Sequence, residues 1–166
     1  MNGEPAYIQI HCPRCGKRAR LDESFEFTMP QEEKIDTQGK VHRWGGWLVV
    51  EKYPNLVPWV TPGSGVSYQH WSRGVVKCPH CHLVAEKALE WPADAFYKWP
   101  LRGDLVLWAY NEEHARAILD YVGSKSRKPS GDYAAHLRKI PKEMLSAKAR
   151  ETLVKQLTAS LEEENP

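Results

Sequence analysis

The sequence predicts an α+β fold, in which a β-rich first half is followed by a small helical region at the C-terminus. Before residue 92, short apolar stretches with strand-like alternation are separated by glycine and proline. After residue 104, apolar residues recur at helical spacing, as in Leu153, Leu157 and Leu161. A third observation, the placement of the four cysteines, links distant parts of the first half.

The first half is expected to form several short strands. Ala6 to His11 alternates, with Ala6, Ile8 and Ile10 on one side, and Phe25 and Phe27 continue a strand pattern further on. Residues 28–40 are polar and are predicted to form a loop. Val41 to Tyr53 is strand-like, and Gly45-Gly46 predicts a bulge or a hairpin turn within it.

Residues 54–65 are rich in proline and glycine and are expected to be irregular. The stretch from Leu56 to Val60 is too apolar to be left in water, so we expect it either to fold onto the rest of this half or to meet a protein partner. The chain has 7 tryptophans, and we expect most of them to supply buried area.

The C-terminal region should begin with a connector marked by Trp91-Pro92 and Trp99-Pro100. Asp104 to Tyr110 is the most apolar run of the chain and predicts a buried strand. Asn111 is a good N-cap for a helix that should run to about Val122, with Gly123 at the C′ position. His114, on this helix, is expected at the surface.

A basic loop at 124–132 should precede a short helix from about Tyr133 to Lys139. Ser146 can cap a last helix, roughly Ala147 to Glu163. The apolar stripe of that helix is predicted to pack either on the preceding helices or on a second copy of the chain, which would make a homo-oligomer through residues 147–163.

All four cysteines fall in two Cys-x-x-Cys pairs, and none is left over. A two-residue spacer lets one tight turn direct both sulfurs of a pair to one point, and Pro13 and Pro79 suit such turns. Two pairs can close a tetrahedral shell of four thiolates around one Zn²⁺ ion. The predicted ligands are Cys12, Cys15, Cys78 and Cys81.

The first pair, in Cys-Pro-Arg-Cys-Gly, resembles the knuckle of the zinc-ribbon or rubredoxin-like class, where Gly16 would take a left-handed conformation. The second knuckle departs from the pattern, since His82 stands where glycine is usual. The resemblance implies a zinc-ribbon domain at 1–92 with a long insertion at 22–72, followed by a strand and a helical region at 93–166. Because a ribbon leaves its second knuckle in a strand, we predict a strand for Leu83 to Trp91, although a helix also fits.

Other interpretations of these cysteines remain open. Cys78 to His82 also matches the attachment pattern of c-type haem, and Cys-Pro-His-Cys occurs in thioredoxin-like oxidoreductases, where the nucleophilic cysteine lies at a helix N-terminus. Structural disulfides are a further alternative. The histidines that flank the pairs are expected to be donors around the shell or surface residues, with His82 the first substitute for a thiolate; they are His11, His80 and His82.

The distribution of charge along the chain indicates which binding partners are plausible. The net charge is only +2, but residues 121–150 carry eight Lys or Arg against two acids, whereas residues 151–166 carry one Lys against four acids. A solvated helical surface explains this distribution, and phosphate binding is the alternative. Two groups of cations would serve that purpose: Arg14, Lys17, Arg18 and Arg20 at the first knuckle, and Lys125, Arg127, Lys128, Arg138 and Lys139 in the C-terminal region.

No nucleotide-binding, hydrolase or metalloprotease motif is present in the sequence. A closed thiolate shell also leaves no open position for substrate. We therefore expect a noncatalytic zinc-binding adaptor that binds a macromolecule, with nucleic acid favoured over protein. The alternatives are a thiol-disulfide oxidoreductase that uses Cys78 and Cys81, or a protein–protein scaffold subunit.

The first ten residues lack the basic and apolar regions of a signal peptide, and no run of 18 apolar residues occurs. We expect a cytoplasmic protein without a membrane partner.

Overall fold

The computed structural model describes residues 4–29 and 40–163. It confirms the α+β class: the described residues form nine strands in antiparallel sheets, three α-helices and one 3-10 helix. Most of the predicted loop at 28–40 lies outside the described residues. The elements are β1 Ile8–His11, β2 Arg18–Glu23, β3 Phe25–Thr28, β4 Val41–Trp44, β5 Trp47–Glu51, β6 Arg73–Lys77, β7 Val84–Ala88, β8 Tyr97–Pro100, β9 Val106–Ala109, α1 Glu112–Gly123, α2 Ala134–Leu137, the 3-10 helix Lys142–Leu145 and α3 Ala147–Glu162.

The chain divides into two compact units. One is His11–Asp94, and the other combines the described residues of Met1–Ile10 and Ala95–Pro166. The residues that precede the first knuckle therefore group with the C-terminal region, because Ile10 bridges to Ala95 and the N–H of Gln9 donates to the carbonyl of Tyr110 at 2.7 Å.

In the unit His11–Asp94, β6 lies between β2 and β7 and pairs antiparallel with both. Strand β2 was missed by sequence reasoning, because its charged residues obscure the alternation that buries Ala19 and Leu21. Gly74 lies opposite Glu23, and a Cβ atom at this position would overlap the carbonyl oxygen of Asp22. The absence of a side chain at Gly74 is therefore what allows β2 and β6 to pair so closely.

The segment between the knuckles carries its own sheet, in the order β3-β5-β4. The hairpin of β4 and β5 turns at Gly45 and Gly46, as predicted. Residues 54–60 are irregular and fold onto this sheet, since Val57 and Trp59 are buried and the Trp59 ring packs edge-on against Phe25 at 5.0 Å. Leu56 and Val60 remain exposed.

The second unit contains the β8–β9 hairpin and the helices. The segment that forms β8 was expected to be a connector. It is a strand in which Tyr97 and Trp99 are buried and alternate with exposed neighbours. Its proline is at the end of the strand, where a missing N–H is tolerated. Helix α1 begins at Asn111 as predicted, whereas Gly123 is its last residue and Ser124, in an extended conformation, is the C-cap. The placement of Gly123 at C′ was wrong.

Helix α3 packs its apolar stripe inside the same unit. Leu153, Leu157 and Leu161 are buried in a core shared with α1 and the β8–β9 hairpin, and Ser146 caps the helix. Of the two expected roles of this stripe, packing within the chain is the one observed. Self-association through residues 147–163 stays a prediction.

Candidate metal centre

The two Cys-x-x-Cys pairs form knuckles with the same backbone hydrogen bonds. In the first, the N–H of Gly16 donates to the carbonyl of Cys12 at 2.9 Å, and in the second the N–H of His82 donates to the carbonyl of Cys78 at 3.0 Å. The N–H of Cys12 donates to the carbonyl of Lys17 at 2.8 Å, and the N–H of Cys78 donates to the carbonyl of Leu83 at 2.9 Å. Each knuckle is thus a closed turn that fixes the directions of its two sulfurs.

The structure brings all four predicted ligands together. Their Sγ atoms lie within 4.8 Å of one another, and the Cys12–Cys81 and Cys15–Cys78 pairs are both 3.6 Å apart. A tetrahedral zinc site with Zn–S bonds of about 2.3 Å has sulfur–sulfur edges of about 3.8 Å. All four cysteines are free thiols, so the arrangement is not that of two disulfides. The donor set and its spacing fit one four-coordinate metal ion.

The electrostatics of the cluster also fit a cation. Burial raises the pKa of the Cys12 thiol, but hydrogen bonds from the N–H groups of Cys15 and Arg14 outweigh it and bring that pKa to about 6. Burial and the neighbouring sulfurs raise the pKa of Cys81 to about 11. One sulfur therefore favours the thiolate form while another resists it. The full set of four thiolates requires a positive ion at its centre.

The residue that follows each pair takes a left-handed conformation. Gly16 has φ +75° and His82 has φ +60°. The second knuckle departs from the pattern as expected, because a histidine there occupies a backbone conformation that favours glycine. His82 does not join the sulfur cluster, and its side chain is exposed. His80 is exposed as well, while Nδ1 of His11 lies 3.1 Å from the carbonyl oxygen of Gly16.

A polar network lies beside the second knuckle. Asp22 is buried in β2, where Arg20 Nε donates to it at 2.6 Å and the Tyr53 hydroxyl at 2.8 Å. Lys77 Nζ lies 3.4 Å from the same carboxylate. Burial raises the pKa of Asp22, but these donors outweigh it and keep that pKa below its usual value. Arg20 is therefore partly engaged in this network.

The other cations predicted at the first knuckle differ in exposure. Arg14 and Lys17 are exposed, and Arg18 is half-buried. Within the described part of the chain, neither Arg14 nor Lys17 forms an ion pair. Among the described residues, the charges of these two exposed side chains are not compensated by an acid, whereas Arg20 pairs with Asp22.

The second group of cations lies in the other unit. Lys125, Lys128, Arg138 and Lys139 are exposed and, among the residues that the structure describes, make no ion pair. Arg127 is half-buried, and its guanidinium donates to the carbonyl of Leu145 at 2.8 Å. This hydrogen bond connects the 124–132 loop to the 3-10 helix.

One residue was misplaced by sequence reasoning. His114, expected at the surface, is buried with 3 % of its area exposed, and its ring stacks on that of Tyr133 at 4.4 Å. The spacing of His114, Ile118 and Val122 carries the signal that places it on the apolar stripe of α1.

No family model, no curated protein and no solved structure matches this chain. The fold and the site together define an α+β protein with four cysteines positioned to bind a metal ion. In residues 4–29 and 40–163, no helix combines the length and the apolar character needed to cross a bilayer.

Proposed function

We propose that this chain is a noncatalytic zinc-binding accessory protein that binds nucleic acid. The observation that carries the proposal is the cluster of four Sγ atoms supplied by two matching knuckles. The zinc would join the start of β2 to the end of β6, two strands that already pair side by side. It would thereby stabilise a unit whose core is small for its length.

Zinc is the metal that this donor set favours. A tetrahedral set of four thiolates takes zinc or iron, and the ribbon-like knuckles are a common setting for structural zinc. In such a site all four positions around the metal are occupied by protein sulfur. Substrate and water then have no place on the metal, which supports a structural role rather than hydrolysis.

The cations support nucleic acid as the partner. Arg14 and Lys17 project from the first knuckle, and neither is paired with a described acid. Four further exposed cations lie in the other unit. Uncompensated Lys and Arg side chains bind phosphates through counterion release, so the affinity should depend steeply on salt. Protein remains the alternative partner, with the exposed side chains of Leu56 and Val60 as its contact.

A mobility-shift titration of the metal-loaded protein with duplex and single-stranded oligonucleotides at 50 and 200 mM salt tests the nucleic-acid part. We expect binding at low salt that weakens at high salt. The double variant Arg14→Gln/Lys17→Gln should reduce the salt slope by about 1.8 for the duplex and about 1.4 for the single strand, in proportion to two lost phosphate contacts. Lys155→Gln is the matched control, because Lys155 is exposed and pairs with Glu151 on α3. A protein that binds neither oligonucleotide at 50 mM salt would eliminate this partner.

The thiol-disulfide oxidoreductase alternative depends on a cysteine at a helix N-terminus. Here strand β7 follows Cys81, and the two sulfurs of Cys15 and Cys12 lie beside those of Cys78 and Cys81. This alternative predicts four thiols that react freely with a thiol reagent in the native protein. The zinc site predicts thiols that react only after a chelator has removed the metal.

A further inference from the structure

A second site lies in the unit that contains α1. A cavity of about 190 Å³ that is open to solvent lies between β9, α1 and the segment 136–144. His114, His136 and Lys139 are among its lining residues, and no acidic residue is. Its apolar walls are supplied by Leu105, Leu107, Ile118, Ile140 and Met144.

The imidazole of His114 offers a hydrogen-bond donor at this cavity. Its Nδ1 accepts the N–H of Tyr110 at 3.1 Å. Burial, and then the charge of His136, lower the pKa of His114 to about 3, so the ring is neutral and carries its proton on Nε2. Among the described residues, Nε2 has no hydrogen-bond partner, although 97 % of the residue is buried. Nε2 is not one of the fully buried atoms without a partner, so water or a ligand in the open cavity can accept its hydrogen bond.

The orientation of that donor is fixed by its neighbours. The Tyr133 ring lies parallel to the imidazole, with 8° between the planes. Asn111 accepts the N–H of His114 at 2.9 Å and donates to the Tyr133 hydroxyl at 3.0 Å. Because these contacts already restrict His114, little conformational entropy is lost when an acceptor binds to its Nε2.

The charges around the cavity favour an anion. Lys139 is exposed and has no ion-pair partner among the described residues. The His136 ring lies beside that of His114, with 5.4 Å between the ring centroids. A negative group at this point would accept from Nε2 and compensate the ammonium group of Lys139.

We propose that this cavity binds a small organic carboxylate, whose anionic head contacts His114 Nε2 and Lys139 and whose apolar body lies against Leu107, Ile118 and Met144. The size agrees with this class. An engineered cavity of about 150 Å³ accepts benzene, so a volume of about 190 Å³ accommodates one ring with a carboxylate group.

Benzoate is the probe, added to the metal-loaded full chain and followed by protein-detected NMR. Benzyl alcohol has the same ring without the charge, and benzylammonium reverses the charge. We expect saturable shifts at residues 107, 114, 118 and 139 with benzoate, and affinities weaker by about ten-fold or more for the other two compounds, because a charge-assisted hydrogen bond is lost. Equal binding of benzyl alcohol, or no saturation by 20 mM benzoate, would overturn the proposal.

Three exposed positions permit variants that leave the core intact. Lys139→Met should weaken benzoate by about ten-fold, whereas Lys142→Met, an exposed lysine three residues away that does not line the cavity, should leave the affinity unchanged. Leu105→Trp adds bulk at the cavity wall and should abolish saturation. Shifts that survive Leu105→Trp, or that respond equally to the two lysine variants, would show an adventitious additive only and sink the proposal.

Discussion

At the residue scale, the two positions that follow the knuckles adopt the same left-handed backbone with different side chains. A left-handed conformation costs a non-glycine residue about 1–2 kcal/mol relative to glycine. A Cβ built on Gly16 meets no atom within 4 Å, so the effect of a side chain there is purely conformational. Gly16 and His82 therefore form a matched pair for measuring this cost beside a metal site.

His82→Gly should raise the free energy of unfolding of the metal-loaded protein by about 1 kcal/mol, because it removes the left-handed strain at φ +60°. Gly16→Ala should lower it by a similar amount. Denaturant titration at a fixed zinc concentration measures both changes. A loss of stability in His82→Gly would mean that the imidazole stabilises the knuckle by more than its backbone costs.

His114 gives the second unit a pH dependence whose sign follows from its low pKa. The ordinary value of 6.5 applies to the unfolded chain, and burial lowers the pKa to about 3 in the folded protein. Between these values the unfolded state binds more protons, so stability falls as the pH decreases from 6.5 towards 3. The slope contributed by this one group approaches about 1.4 kcal/mol per pH unit.

His114→Gln should remove that contribution and flatten the dependence of unfolding free energy on pH between 6.5 and 4. The comparison is made by urea unfolding of both proteins at several pH values, followed by circular dichroism of the helices. Parallel curves for the two proteins would contradict a neutral, buried His114.

At the element scale, the sequence predicted the parts whose signals are local. Asn111 and Ser146 were recognised as caps because their side chains bond to the adjacent turn. Strands β2 and β8 were not recognised, because they form by pairing with strands distant in sequence. Leu21 pairs with Val76 in β6, and Trp99 pairs with Leu107 in β9. Periodicity cannot supply such pairings, and charged or proline residues obscured what alternation there was.

The two caps should differ in strength. Asn111 is fully buried, accepts from the N–H of His114 and donates to the carbonyl of Tyr7 at 3.0 Å, whereas Ser146 is exposed and accepts at 3.4 Å. Asn111→Ala should cost about 2–3 kcal/mol, since it removes a cap and leaves buried groups unpaired, and Ser146→Ala about 0.5–1 kcal/mol. Equal losses in thermal unfolding would show that the buried network around Asn111 contributes nothing beyond the cap.

At the scale of the whole molecule, the two units differ in what stabilises them. The unit His11–Asp94 contains the four-cysteine site and a core rich in aromatic side chains. The other has a larger apolar core built by helices and a hairpin. The cysteine spacing predicted that the four sulfurs would come together, because ligand geometry restricts which spacings occur. The cavity at His114 could not be predicted from a motif, because its lining residues come from separate elements of the chain.

Removal of the metal should therefore affect the two units differently. A chelator, or Cys12→Ser/Cys15→Ser, should broaden or remove the amide signals of β2 and β6, while those of α1 and α3 persist. A two-dimensional amide NMR spectrum recorded before and after chelation makes the comparison. If the strand signals are unchanged, the metal does not stabilise this unit.

The central claim is that four thiolates hold one zinc ion. X-ray absorption at the zinc edge, recorded on purified protein whose metal content has been quantified, tests it most directly. We predict one zinc per chain with four sulfur neighbours at about 2.3 Å. Protein without stoichiometric metal, or a shell that contains nitrogen or oxygen in place of a sulfur, would contradict the account.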